Sequence, residues 1–239
     1  MGFDRTEILY LVLRLPVVLF ALTMHEFMHA WVAWKCGDDT ALRAGRVTFN
    51  PLAHLDLIGT ICLIFAPIGW AKPVPVNPYN YGNPRRDEIL VSGAGVAANL
   101  VMAVVAAMVV RLLILMDALP ATRTDLYLWA VLSHMVMVNL GLFIFNLVPI
   151  SPLDGSHILR EVLRGRWAIG LGGISRYDPF ILLALVFANR ATSFSMMGYR
   201  NVSLLGAPVL LLAHLLAGAD GTNTIISILH LISTLGTGT

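Results

Sequence analysis

From Ile8 to Trp34 the chain is apolar almost throughout, with only Arg14 and Glu26 charged. About 20 helical residues carry a backbone across the hydrocarbon core of a bilayer, where each N–H and C=O must be satisfied within its own segment. The run is therefore expected to be a membrane-spanning helix. It is read as a retained span rather than a signal peptide, because no small-residue cleavage site precedes its polar centre. Six further apolar segments follow, and their lengths decide what each can be. Glu88–Met116 and Leu126–Val148 are long enough to cross, and the short polar turn between them predicts an antiparallel pair. Leu57–Ala71 is shorter and contains Pro67 and Gly69, which suits a re-entrant or interfacial element. The proline-rich run from Lys72 to Pro84 should be extended. Asp178–Ala188, Val202–Ala217 (broken by Pro208) and Thr224–Leu235 are marginal as spans.

The expected fold is an all-α polytopic membrane protein with seven apolar segments. About six of these are possible spans, with a re-entrant and extended element between the first and second full crossings. Residues 1–239 carry no repeat and no compositional break, so they are read as one membrane-embedded domain, with a catalytic core over 6–165 and hydrophobic segments over 166–239. A hydrophobic fraction of 57% against 13% charged residues exceeds what one soluble core could bury. The net charge of +2, with arginines scattered between apolar segments, leaves no basic patch for a nucleic acid. Cys36 and Cys62 form no CxxC pair, so neither a thiolate zinc site nor a disulfide framework is supported. If the first span runs inward, Lys35, Arg43, Arg46, Lys72, Arg85, Arg86, Arg160, Arg164, Arg166 and Arg176 lie inside. Arg5, Arg14, Arg111 and Arg123 then lie outside, with Arg190 and Arg200 unassigned, so cytosolic ends are expected at Lys35 and Arg160.

Within the first span stands "HEFMH", His25 to His29. Four residues of helix bring two side chains back to within about 40° of one another, so the two histidines share a face and can grip one metal ion. Glu26 is placed to flank that ion and take a proton from a water on it, the HExxH arrangement of zinc metalloproteases. Random placement of seven His and four Glu in 239 residues would produce the motif on the order of 0.003 times per chain. Trp31, Trp34 and Lys35 resemble an interfacial anchor, which puts His29 about 9 Å inside the membrane.

A catalytic zinc takes three protein ligands and keeps one open position. The strongest third candidate is Asp154 in "NLVPISPLDGSHIL", where Pro149, Pro152 and Gly155 interrupt the helix. The competing role for Asp154 is that of an N-cap for a helix starting near Gly155. Asn99 and Asn146 are candidate oxyanion donors or substrate-backbone holders, with interhelical hydrogen bonding as the alternative. His54 and His157 are possible supporting residues near the site, and His134, His214 and His230 read as packing histidines. The small residues from Ser92 to Ala98 suit close helix packing.

Taken together, HEFMH in a first span and a later LDG after "NLVPISP" resemble the site-2 protease family of intramembrane zinc metalloproteases, specifically its small bacterial type without PDZ or CBS domains. "NPLAHLDLIG" and "GWAKPVPVNPYNYGNPRRDE" add to the resemblance, which covers roughly residues 20–165. It implies one Zn2+ per chain on His25, His29 and Asp154, with Glu26 as general base. It also implies membrane-anchored protein substrates, regulated intramembrane proteolysis, and a site near the cytosolic face of a bacterial inner membrane. The family's G-P-x-x-N element appears here as Gly95 to Asn99 with Val96 at the proline position. The principal alternative is a zinc or divalent-metal transporter, because acidic and histidine side chains in spans also form ion pathways. A third reading is an inactive relative acting as a scaffold. The sequence specifies neither the substrate nor the number of subunits.

Overall fold

The computed structural model describes residues 5–65, 69–163, 177–191, 194–196 and 199–234. Helix α1 (Arg5–Lys35) ends where Lys35 Nζ sits 4.2 Å over the Trp34 ring and 5.8 Å from that of Trp31. Short α2 (Thr40–Arg43) and a 3-10 turn at Pro51–Ala53 lead into α3 (Leu57–Phe65). The chain then returns to its starting point, since Leu55 bridges Ala71 and the Lys72 N–H donates to the His54 carbonyl at 2.8 Å. The two ends of this stretch are thus held together, and Leu57 and Ile58 are exposed. Pro67 lies outside the described residues. Gly59 lets the loop close, because a Cβ there would meet the Trp70 carbonyl oxygen at 2.2 Å.

The following run is extended apart from a 3-10 turn at Pro78–Asn80. Asp38, just past α1, anchors it by accepting from the Asn77 N–H at 2.6 Å and the Asn80 side-chain amide at 2.8 Å. Burial alone would raise the Asp38 carboxyl, but these bonds and those from Thr40 outweigh it and hold the group below the usual carboxylate range.

Helix α4 (Pro84–Leu115) starts at an Asn83 cap with proline in its first turn, and α5 (Arg123–Leu147) starts at a Thr122/Asp125 capping box. The two pack as the expected antiparallel pair. One face of α4 presents Ala103, Ala106, Ala107 and Val110 to the core, and the other presents Val101, Val105, Met108 and Leu112 outward, the pattern of a lipid-facing helix. The helix runs unbroken through Gly95–Asn99, so Val96 at the proline position leaves no kink. After α5 come α6 (Asp154–Val162), α7 (Asp178–Ala191), an antiparallel hairpin of β1 (Phe194–Met196) and β2 (Tyr199–Val202), and α8 (Gly206–Thr234).

Among the described residues four helices, α1, α4, α5 and α8, are long and apolar enough to cross a membrane. That is fewer than the six possible spans read from the apolar runs. The reasons are visible: α3 and α7 are too short, and the segments taken as Val202–Ala217 and Thr224–Leu235 join into α8, interrupted only at Gly218 (φ 78°). The architecture is the expected all-α polytopic one, with one short hairpin, β1 and β2, between α7 and α8. Arg164, Arg166 and Arg176 of the inside charge cluster lie outside the described residues.

Candidate metal centre

His25 and His29 leave the same face of α1 and press against α4. His25 Nδ1 lies 2.7 Å from Asn99 Oδ1, and His29 Nδ1 lies 2.7 Å from the Val91 carbonyl oxygen. These partners determine where the ring protons are. The Met135 carbonyl can only accept, so it takes the Asn139 side-chain N–H at 2.8 Å, leaving Asn139 Oδ1 to accept from the Asn99 N–H at 2.9 Å. Asn99 Oδ1 then accepts from His25 Nδ1. With Nδ1 of each ring committed to an oxygen acceptor, the two Nε2 atoms are the ring nitrogens left to bind a metal.

Those two Nε2 atoms are 3.0 Å apart, and Asp154 Oδ2 lies 3.2 Å from that of His25 and 3.4 Å from that of His29. Asp154 Oδ2 is buried without a hydrogen-bond partner. Three side-chain atoms able to ligate a metal thus converge, an arrangement in which a shared cation offsets the crowding of their lone pairs. Zinc–ligand bonds of 2.0–2.1 Å at tetrahedral angles place neighbouring donors about 3.3 Å apart, which matches these separations. The residues therefore fit zinc, and they form the group among the described residues able to hold a metal.

Asp154 reaches the histidines because α6 begins at that residue, with Leu153 as the N-cap and no side-chain cap bond. The carboxylate caps nothing, so the alternative of a helix N-cap is not what the structure shows. Gly155 permits the approach: a Cβ there would meet the Leu147 carbonyl oxygen at 2.3 Å. Arg85 holds the far end of α6, its Nε donating to the Glu161 carbonyl at 2.8 Å. Gly95 has the same function on α4, since a Cβ at this position would lie 2.4 Å from His29 Nε2 and 2.6 Å from His25 Cε1. The glycine within the small-residue stretch is where two imidazoles rest, which is more specific than the helix packing expected of it.

A cleft of about 230 Å3 opens on the donors and is bordered by Glu26, Val74, Val76, Asn146 and His157. Glu26 Oε2 accepts from the Val74 N–H at 3.2 Å. Asn146 faces this space with its side-chain N–H donating back to the Leu142 carbonyl at 3.0 Å. Asn99 does not face it: fully buried, it binds His25 on one side and Asn139 on the other, a position for orienting a ligand rather than for meeting an oxyanion. His157 pairs with Glu88 at 3.0 Å on the cleft rim. His54 is not brought to the site. Its Nε2 reaches the Thr48 carbonyl at 2.9 Å, and its main chain closes the 55–71 loop.

The sequence profile of peptidase family M50 matches residues 117–169, which include the Asp154 segment. YwhC of Bacillus subtilis, named as a candidate zinc metalloprotease, is 45% identical over 159 residues, covering 64% of this chain and 69% of its own. The chain belongs to peptidase family M50. Rip2 of Mycobacterium tuberculosis, similarly named, is 31% identical to this M50 peptidase over 71% of the chain and 64% of Rip2. Rip2 of Mycolicibacterium smegmatis is 30% identical over 70% of the chain and 64% of its own length. No solved structure matches the chain. The resemblance to the site-2 protease family, first seen in HEFMH and LDG, is thereby shown, and with it a membrane metallopeptidase.

Asn139 is a residue of this M50 peptidase that sequence reasoning missed. It is a lone amide 40 positions from its partner Asn99, and only the packing of α4 on α5 joins them. Outer-shell partners of metal-binding histidines typically contribute about 10–100-fold in affinity. Asn139→Ala is expected to weaken metal binding by that factor while leaving the helices intact. Titration against a competing chelator checks this, and an unchanged affinity would mean that Asn99 is held without Asn139.

Proposed function

We propose that this M50 peptidase is a zinc endopeptidase that hydrolyses membrane-anchored proteins within or beside their transmembrane segments. It would work near the cytosolic face of a bacterial inner membrane with one zinc per chain on His25, His29 and Asp154, as a step of regulated intramembrane proteolysis. The observation that carries this reading is the convergence of three side chains able to ligate a metal beside a glutamate that stays outside their cluster. Zinc held there would lower the pKa of a bound water and polarise a carbonyl.

Glu26 faces the same cleft and acts as general base, taking the water proton and returning it to the leaving amine. Asn139 and Asn99 keep His25 in the tautomer that leaves Nε2 free. The Val91 carbonyl does the same for His29. Asn146, at the cleft wall, is placed to meet the substrate backbone. The extended run beside Glu26 offers main-chain groups with which an unwound substrate could pair as an added strand. The described residues hold a single donor cluster, with no second one to relay an ion, which favours hydrolysis over transport.

The test is the protein in liposomes with a panel of single-span reporter substrates. Cleavage at membrane depth is expected, lost on chelation and restored by one zinc per chain. Bound zinc with zinc flux across the vesicles and no cleavage would favour the transporter. Absence of zinc binding would remove the ligand assignment.

A further inference from the structure

A second, larger cavity of about 520 Å3 lies between α1, α5, α7 and α8 and is mostly apolar. Its polar end is formed by Tyr10, Arg14 and His134, with the Tyr10 and His134 rings 5.2 Å apart. From His134 to Phe145 at the apolar end is 11 residues of α5, about 16 Å.

Two polar groups at the first end are unmatched. Arg14 stands in a spanning helix with its guanidinium carbon 6.0 Å from the Tyr10 ring and its charge acting on His134, and among the described residues it has no ion pair and no hydrogen bond. His134 is 3% exposed and gives its Nδ1 proton to the Ala130 carbonyl at 2.7 Å, so Nε2 carries a lone pair that is buried and unpartnered. A cation within a span and an orphaned acceptor beside it are both costly unless something joins them.

The volume limits what that can be. A helix about 10 Å across displaces roughly 1,200 Å3 over 16 Å, which excludes a substrate's transmembrane helix. At about 30 Å3 per water-sized group, 520 Å3 holds on the order of 17 such groups, the bulk of one long acyl chain.

We propose that this cavity is a binding site for an anionic lipid, with a carboxylate or phosphate on Arg14 and one acyl chain lying toward Leu22, Leu142 and Phe145. A glycerol headgroup would in addition donate a hydroxyl to His134 Nε2, whereas a fatty-acid carboxylate engages Arg14 alone. The site is separate from the metal cleft and does not rest on the proteolytic reading.

The experiment is photolabelling of the full chain in detergent with a palmitate that carries a diazirine on its tail. Label is expected in the α5 peptide from Met137 to Phe145. Unlabelled oleate or phosphatidylglycerol should compete at least tenfold better than oleyl alcohol, and whichever of the two competes better identifies a free fatty acid or a phospholipid as the source. Arg14→Gln should reduce labelling about tenfold, Arg14→Lys should retain it, and Val18→Trp should block it by filling the cavity. Circular dichroism of each variant confirms folding. Equal competition by the alcohol, or equal labelling of the two Arg14 variants, would overturn the proposal. So would displacement of the label only by a substrate peptide, which would make the cavity part of substrate binding.

Discussion

Glu26→Gln is expected to retain the metal of the wild type and to lose cleavage by a factor of about 10²–10⁴, the usual contribution of a positioned general base. The two side chains have the same shape. Glutamine can still accept from the Val74 N–H, so the extended run stays in place and only the capacity to take a proton is removed. The geometry makes the outcome discriminating, because the donor cluster is His25, His29 and Asp154 without Glu26. Metal content and reporter cleavage measured on one preparation provide the check. A variant that lost its metal would make Glu26 a ligand, and one that still cleaved would remove it as the base.

Gly95→Ala is expected to weaken metal binding by about 100-fold or more and to abolish cleavage with it, exceeding the usual effect of a supporting residue because the change reaches the ligands directly. One methyl group would have to occupy space 2.4 Å from His29 Nε2 and 2.6–2.7 Å from two atoms of the His25 ring. Either the rings rotate off their Asn99 and Val91 partners or α4 moves away from α1, and both separate the donors. Gly93→Ala is the control. It lies on the same helix, and a Cβ there meets nothing within 4 Å. Alanine should stabilise that helix by up to about 1 kcal/mol and leave the metal in place. If both variants bound zinc as the wild type does, the seat of the histidines on α4 would be more yielding than its close contacts imply.

Some of this was readable in the sequence because the relevant information is local. His25, Glu26 and His29 lie within two turns of one helix, and helical geometry alone places both rings on one side. Asp154 was signalled by an acidic residue just after a span broken by prolines, although only the structure shows that it leaves the helix end uncapped. What the sequence could not convey depends on which helices touch. Asn139 acquires its role through Asn99 on another helix, and Gly95 through rings on a third. His54 looked close to the site because it sits within the family-like stretch "NPLAHLDLIG", yet its ring serves the base of a loop. The span count was overestimated for a related reason. The polar residues from Gly218 to Asn223 read as the end of an apolar run, but helix α8 continues past them after one break in its backbone.

The prolines around Val74 make the extended run one-sided. Successive main-chain groups of an extended chain alternate in direction. Lys72 and Val74 direct their N–H groups toward the His54 carbonyl and Glu26, so the opposite edge falls to Pro73 and Pro75, which have no N–H to offer. That outer edge cannot template a foreign strand or a second copy of itself. A peptide seeking a full set of main-chain bonds finds donors only on the side facing the metal cleft, and there the Val74 N–H is already bonded to the Glu26 carboxylate. A chain that paired along this edge would have to take over the amide that Glu26 holds, so main-chain pairing there and the Glu26–Val74 bond exclude one another.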